Sequence, residues 1–130
     1  MSRTPQAIAP APRTVIAAAL LDVILVLIFA ALGRSSHSRD ATALGLLETA
    51  WPFLAGLAIM WLIVRAWRAP GEVIRTGIPV WSGTVLFGML LRALTGAGTA
   101  FAFVLVTIGV LGLFLVGWRL ISSLIRRRRA

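Results

Sequence analysis

Four stretches of the chain are almost unbroken runs of apolar residues, separated by short polar segments. The first runs from about Val15 to Gly33 (VIAAALLDVILVLIFAALG), the second from about Ala43 to Trp67, the third from Ile78 to Leu94 and the fourth from Ala100 to Trp118. Roughly 17–25 such residues carry a helix across the hydrocarbon of a bilayer. The connections RSSHSRDAT, RAPGEVIRTG and TGAGT are short and polar or glycine-rich, as links between antiparallel neighbours are. The pattern predicts an all-α membrane protein, four transmembrane helices in an antiparallel bundle over residues 14–119. A tail at 1–13 precedes the bundle and a basic tail at 120–130 follows it. The first run is longer than the roughly 7–15-residue core of a signal peptide and holds Asp22 within it, so it is expected to be a retained span.

An internal echo accompanies the four runs. The first ends in IFAALGR and the third in LFGMLLR, while the second and fourth both close on Trp-Arg, at Trp67-Arg68 and Trp118-Arg119. Two helical hairpins inserted in the same direction would give a parallel repeat about an axis along the membrane normal. Coincidence in a leucine-rich alphabet gives the same echo.

Composition strengthens the membrane reading. Apolar residues make up 59% of the 130 and charged ones 13%, against roughly 45–50% and 25% in soluble domains. A small soluble core cannot hide that excess. Cysteine is absent, which excludes disulfides and thiolate metal sites. The net charge of +9 would suggest nucleic acid in a soluble protein. Here the arginines flank apolar runs, where membrane proteins carry their topology signals, so no nucleic-acid partner is expected.

With the N-terminus inside, the cytoplasmic face collects Arg3, Arg13, Arg65, Arg68, Arg75, Arg119 and Arg126 to Arg129, and the outer face keeps Arg34, Arg39 and Arg92. That asymmetry predicts a multi-pass membrane protein with both termini cytoplasmic. The five tryptophans fall mostly near span ends, as an interfacial belt would place them.

Ionisable residues inside spans mark candidate sites, since a central Asp or Arg costs about 2.5–3.5 kcal/mol to insert. Asp22 lies about two turns into the first span. It must face the bundle or a wet cavity, and reads either as a proton or cation site or as a packing residue. Glu48, Arg92 and Arg34 reach one depth at the outer end from three different spans, so a Glu48–Arg92 or Glu48–Arg34 pair is expected there. Pro52 has no N–H for the carbonyl of Glu48, which predicts a kink; the alternative is a membrane helix that begins near Pro52. Trp81, Gly88 and Arg92 share one helical face, and Gly88, Gly109, Gly112 and Gly117 suit close helix contact.

The loop Ser35-Ser36-His37-Ser38-Arg39-Asp40 gathers triad residue types, but a triad is assembled by a scaffold rather than within one loop. No catalytic residue, metal site or cofactor is expected. The basic end Arg126, Arg127, Arg128 and Arg129 is expected to contact anionic lipid, at about 1 kcal/mol per residue.

These elements also carry a family resemblance. ALGRSSH after an Asp-containing span, TAWPFLAGLAIMWL, GMLLRALTGAGTAFAFV and a closing GWR together resemble domain-of-unknown-function family 3054, uncharacterised and mainly actinobacterial membrane proteins. The likeness runs from about Asp22 to Arg119. It implies a four-helix integral membrane protein of the bacterial cell membrane and supplies no activity, substrate or catalytic residue. Two functions remain open. One is a small ion or solute carrier or channel that works as a homo-oligomer, with Asp22 and the Glu48–Arg92 layer as its coupling groups. The other is a non-catalytic subunit or scaffold that packs against a membrane-protein partner or organises lipid. Dual-topology carriers are a fold-level analogy only, and the arginine bias argues against dual insertion.

Overall fold

The computed structural model describes residues 9–36 and 42–129. Helix α1 spans Pro12–Ser36 and α2 Ala43–Val64. The third span opens with a π-helical turn, Val73–Gly77, that leads directly into α3, Ile78–Leu94. The fourth joins α4 (Phe101–Leu111), a second π-helical turn (Gly112–Val116) and α5 (Gly117–Arg129) into one helix of 29 residues. Four helices are thus long and apolar enough to cross a membrane, and no strand occurs among the described residues.

Local chemistry explains the ends. The Thr42 hydroxyl accepts the Gly45 N–H at 3.0 Å and caps α2, so this helix starts well before Pro52 rather than at it. It continues through Pro52, whose side chain is buried. At the other end Arg65 turns left-handed (φ 54°) and returns its N–H to the Trp61 carbonyl, ending α2 three residues short of Trp67. Pro79 lacks the N–H that the Arg75 carbonyl would take, and its ring would press on that carbonyl. The wider π turn just before it relieves the contact.

The fourth helix does not stop at Trp118. No proline follows, and Leu120, Ile121, Leu124 and Ile125 keep an apolar stripe going to the polybasic end. At 1.5 Å per residue its 29 residues reach about 43 Å, well beyond a hydrocarbon core of about 30 Å. Residues 120–129 of the expected tail are thus helical and continuous with the fourth span.

Most of the interior is apolar. Phe29, Phe53 and Phe103, from α1, α2 and α4, form a ring cluster; Phe29 and Phe53 meet edge to face at 5.2 Å. Val26, Leu57, Val80, Leu111 and Leu115 complete the buried core. The outer flanks carry exposed aliphatic residues such as Leu62, Leu86, Leu94 and Leu113, 65–73% accessible, which suits lipid contact. The closest helix pair is α2 and α3. A Cβ on Gly88 would collide with the Phe53 ring, and one on Gly56 would meet the Thr84 carbonyl at 3.1 Å. Small residues here let two backbones approach, as membrane helices require.

Candidate functional site

Asp22 is wholly buried, and its carboxylate is completely occupied. Arg119, also 0% exposed, binds it with both terminal nitrogens, Nη1 to Oδ1 at 3.0 Å and Nη2 to Oδ2 at 2.7 Å. The indole N–H of Trp61 donates to Oδ2 at 2.9 Å and that of Trp118 to Oδ1 at 2.8 Å. Each oxygen thus accepts one guanidinium and one indole bond. The fork-to-fork geometry is the strong form of an arginine–carboxylate pair.

Arg119 is held as firmly on its other side. Its Nε donates to the Pro70 carbonyl at 2.8 Å, Nη1 also donates to the Leu115 carbonyl at 2.9 Å, and its guanidinium lies 4.5 Å from the Trp118 ring centroid. Gly77 makes room for the stem: a Cβ there would meet the Arg119 Cδ at 3.0 Å. Thr76, buried beside it, ties its hydroxyl to the Ala69 carbonyl at 2.6 Å and fixes the turn that presents Pro70. One charge pair therefore gathers α1 through Asp22, α2 through Trp61, the third span through Gly77 and the fourth through Trp118 and Arg119.

The fourth span reaches this geometry through its π turn. Such a turn spends one residue more per revolution than an α-helix and so rotates the face presented by the residues beyond it. Gly112 opens it, where a Cβ would stand 3.0 Å from the Trp81 indole, and Trp81 donates its N–H to the Ile108 carbonyl at 3.0 Å. Three of the five tryptophans, Trp61, Trp81 and Trp118, thus make internal hydrogen bonds, while Trp51 and Trp67 are 42% and 40% exposed.

At the opposite end the three charges foreseen at one depth do not pair with one another. Arg92 donates from Nε to the Gly98 carbonyl at 3.0 Å and from Nη2 to the Ala97 carbonyl at 2.9 Å, with its guanidinium 4.4 Å from the Phe103 ring centroid. It fastens the connection between the third and fourth spans. Arg34 donates to the Thr49 hydroxyl at 3.2 Å and packs against Gly45. Glu48 points outward, and no Glu48–Arg92 or Glu48–Arg34 pair forms. Arg34 and Arg92 do share the wall of a half-open, largely apolar cavity of about 780 Å³ beside Phe29 and Phe103.

His37, Ser38, Arg39 and Asp40 lie outside the described residues, so the loop constellation receives no geometry. Of the basic end, Arg126 donates to the Gly71 carbonyl at 3.2 Å, and Arg127, Arg128 and Arg129 are exposed on the last turn. No group of three or more His, Cys, Asp or Glu that could hold a metal occurs among the described residues.

Sequence reasoning singled out Asp22 but not Arg119, Trp61 or Trp118 as its partners. Arg119 reads as one more flanking arginine until the depth of Asp22 is compared with the inner end of the fourth span. Both lie inside the same end of the bundle, but depth alone does not turn their side chains towards one another.

Comparison with known proteins gives one result. A family model described as a protein of unknown function, DUF3054, matches residues 19–122, which takes in Asp22 and Arg119 together. No curated protein and no solved structure matches.

Proposed function

We propose that this chain, which belongs to the DUF3054 family of proteins of unknown function, is a non-catalytic, non-transporting membrane scaffold that organises lipid around a rigid four-helix body. The observation that carries this reading is the saturation of Asp22. A coupling carboxylate has to exchange its proton or cation with water during a cycle, whereas Asp22 is 0% exposed and holds four donors. The Phe29, Phe53 and Phe103 cluster, with Val26 and Leu115, fills the space between the Asp22 end and the 780 Å³ cavity at the other end.

The saturation also argues against a partner-dependent subunit that needs Asp22 across an interface, because the acid is satisfied within its own chain. The working surface is then the outside of the bundle. We place both termini in the cytoplasm and the protein in the cell membrane. Support comes from Arg13, Arg65, Arg68, Arg75 and Arg126 to Arg129, which sit at the end where α1 begins and α5 ends. Arg119 leaves that tally, since it is spent inside the fold.

A carrier working as a homo-oligomer is the second reading, favoured by the cavity beside Arg34 and Arg92. Purified protein in proteoliposomes separates the two. The scaffold reading expects proton, sodium and potassium fluxes equal to those of protein-free vesicles. It also expects Asp22→Asn to lower thermal stability. A flux that Asp22→Asn abolishes while the melting temperature stays at the wild-type value would overturn the scaffold reading and restore the carrier.

A further inference from the structure

The end of the bundle where α1 begins and α5 ends holds a second cavity, of about 570 Å³. Its walls come from three separate parts of the chain. The start of α1 supplies Arg13, the connection between α2 and α3 supplies Arg68, Glu72 and Arg75, and α5 supplies Ser122 and Arg126. Four arginines thus face one space against a single carboxylate. None of them takes part in the Asp22–Arg119 pair, although Trp118, which binds Asp22, forms part of the floor.

The cavity exists because of features already described. The fourth helix runs past Trp118 and brings Arg126 level with the α2–α3 connection, where it donates to the Gly71 carbonyl at 3.2 Å. The left-handed Arg65 ends α2 early and starts the turn that presents Arg68. The π turn Val73–Gly77 carries Arg75. Ala17, Ala18 and Leu21 of α1 add an apolar floor, and Ala17 is exposed on the outside of the span. A charged mouth above an apolar, membrane-facing floor fits an amphipathic anion, and the volume lies within the range of about 300–1,000 Å³ usual for ligand sites.

We infer that this cavity binds the phosphate-bearing headgroup of an anionic glycerophospholipid. The phosphodiester would lie among Arg13, Arg68, Arg75 and Arg126. Arginine suits it, since its planar fork can offer a phosphate two parallel N–H donors. Glu72 makes no ion pair among the described residues. It and the Ser122 hydroxyl are left to accept from headgroup hydroxyls, so a glycerol headgroup fits better than a bare monoester. Basic pockets between membrane helices are known to hold such headgroups. The free source of the same chemistry is a soluble phosphate ester. The lipid is favoured by the apolar floor and by the position of the cavity at the membrane end of the spans. This inference rests on the lipid-organising reading above and gives it a site. It also shifts the binding role from Arg127, Arg128 and Arg129 to the arginines of the cavity.

The test is native mass spectrometry of the full chain in detergent micelles, titrated with phosphatidylglycerol against phosphatidylcholine. Wild type is expected to retain phosphatidylglycerol selectively. The Arg68→Gln/Arg75→Gln variant should bind it about 25-fold more weakly, about fivefold for each arginine removed. The variant with Arg127→Gln, Arg128→Gln and Arg129→Gln should stay within about twofold of wild type, although it loses more charge. If Arg68→Gln/Arg75→Gln melts at a lower temperature than wild type, Arg13→Gln replaces it, with about a fivefold loss expected.

Equal or greater loss in the tail variant would overturn the site and leave only diffuse surface attraction. Absence of selectivity in wild type would do the same. Glycerol 3-phosphate supplied to protein in phosphatidylcholine micelles forms the second arm. Arginine-dependent binding of this ester, without selectivity for the lipid, would assign the cavity to a soluble phosphate and overturn the lipid. Failure of the site leaves the flux result untouched, and an Asp22-dependent flux would sink the scaffold reading while leaving headgroup binding in place.

Discussion

Consider the removal of the Asp22 charge. Asp22→Asn keeps the shape of the side chain but replaces one accepting oxygen with an NH₂ group, which then faces the donors of either Trp118 and Arg119 Nη1 or Trp61 and Arg119 Nη2. Arg119 is left as a buried cation without its counter-ion. Breaking a buried pair from one side typically costs about 3–5 kcal/mol, and each stranded indole N–H adds to that by up to about 1–3 kcal/mol. Arg119→Met alone should cost a similar amount, because it strands the carboxylate and frees the Pro70 carbonyl. Asp22→Leu combined with Arg119→Met removes both charges together and should lose at least about 2 kcal/mol less than the sum of Asp22→Leu and Arg119→Met taken singly, within the coupling range of contacting residues. Equilibrium unfolding of detergent-solubilised protein, with tryptophan fluorescence as the signal, measures all four corners of this cycle. Arg119→Lys is a useful fifth variant. It keeps the charge and loses the fork, and should recover less than half of the loss. Additivity within about 0.5 kcal/mol would mean that the two residues do not act as a pair, and the structural account of the site would fail.

Three other changes probe the remainder of the bundle. Gly88→Ala forces a methyl into the Phe53 ring and should destabilise the protein by about 1–3 kcal/mol, measured by the same unfolding assay; an unchanged midpoint would show that α2 and α3 are not so closely packed. Thr84→Val removes a buried hydroxyl that finds no partner among the described residues and should stabilise by about 1 kcal/mol, read as a higher melting temperature. Arg92→Gln releases the Ala97 and Gly98 carbonyls and the Phe103 ring, so amide exchange across residues 95–100 should rise several-fold while exchange in α2 is unaltered.

The four spans could be read directly from the apolar runs, because length and hydropathy alone decide whether a helix can cross a bilayer. Their ends were less legible. Arg65 closes α2 in a left-handed conformation that arginine rarely adopts, and continuation of the fourth helix to Arg129 depends on a weak apolar stripe within a polar stretch. Asp22 announced itself, since an acid inside a span demands a partner. The identity of that partner was hidden by the π turn at Gly112–Val116, which changes the face on which Trp118 and Arg119 emerge and defeats a 3.6-residue period. The expected charge layer at the other end rested on shared depth alone. Depth brings groups to one level but does not turn them towards one another, and Arg92 has nearer acceptors in the carbonyls of its own connection. The two Trp-Arg pairs show the same limit. Trp67-Arg68 lies exposed and Trp118-Arg119 supports the core, so an identical dipeptide occupies opposite environments in the two hairpins.

The pair that closes the fold is also the most distant in synthesis. Of the four spans, Asp22 belongs to the one that leaves the ribosome first and Arg119 to the fourth, 97 positions later. At about 5–20 residues per second, the acid waits roughly 5–20 seconds in or beside the membrane before its cation has been made. Until then the first three spans hold a carboxylate that lipid cannot satisfy. A chain that stops short of the fourth span keeps that defect permanently. An unfinished copy thus differs from a finished one by a buried acid that lacks its counter-ion.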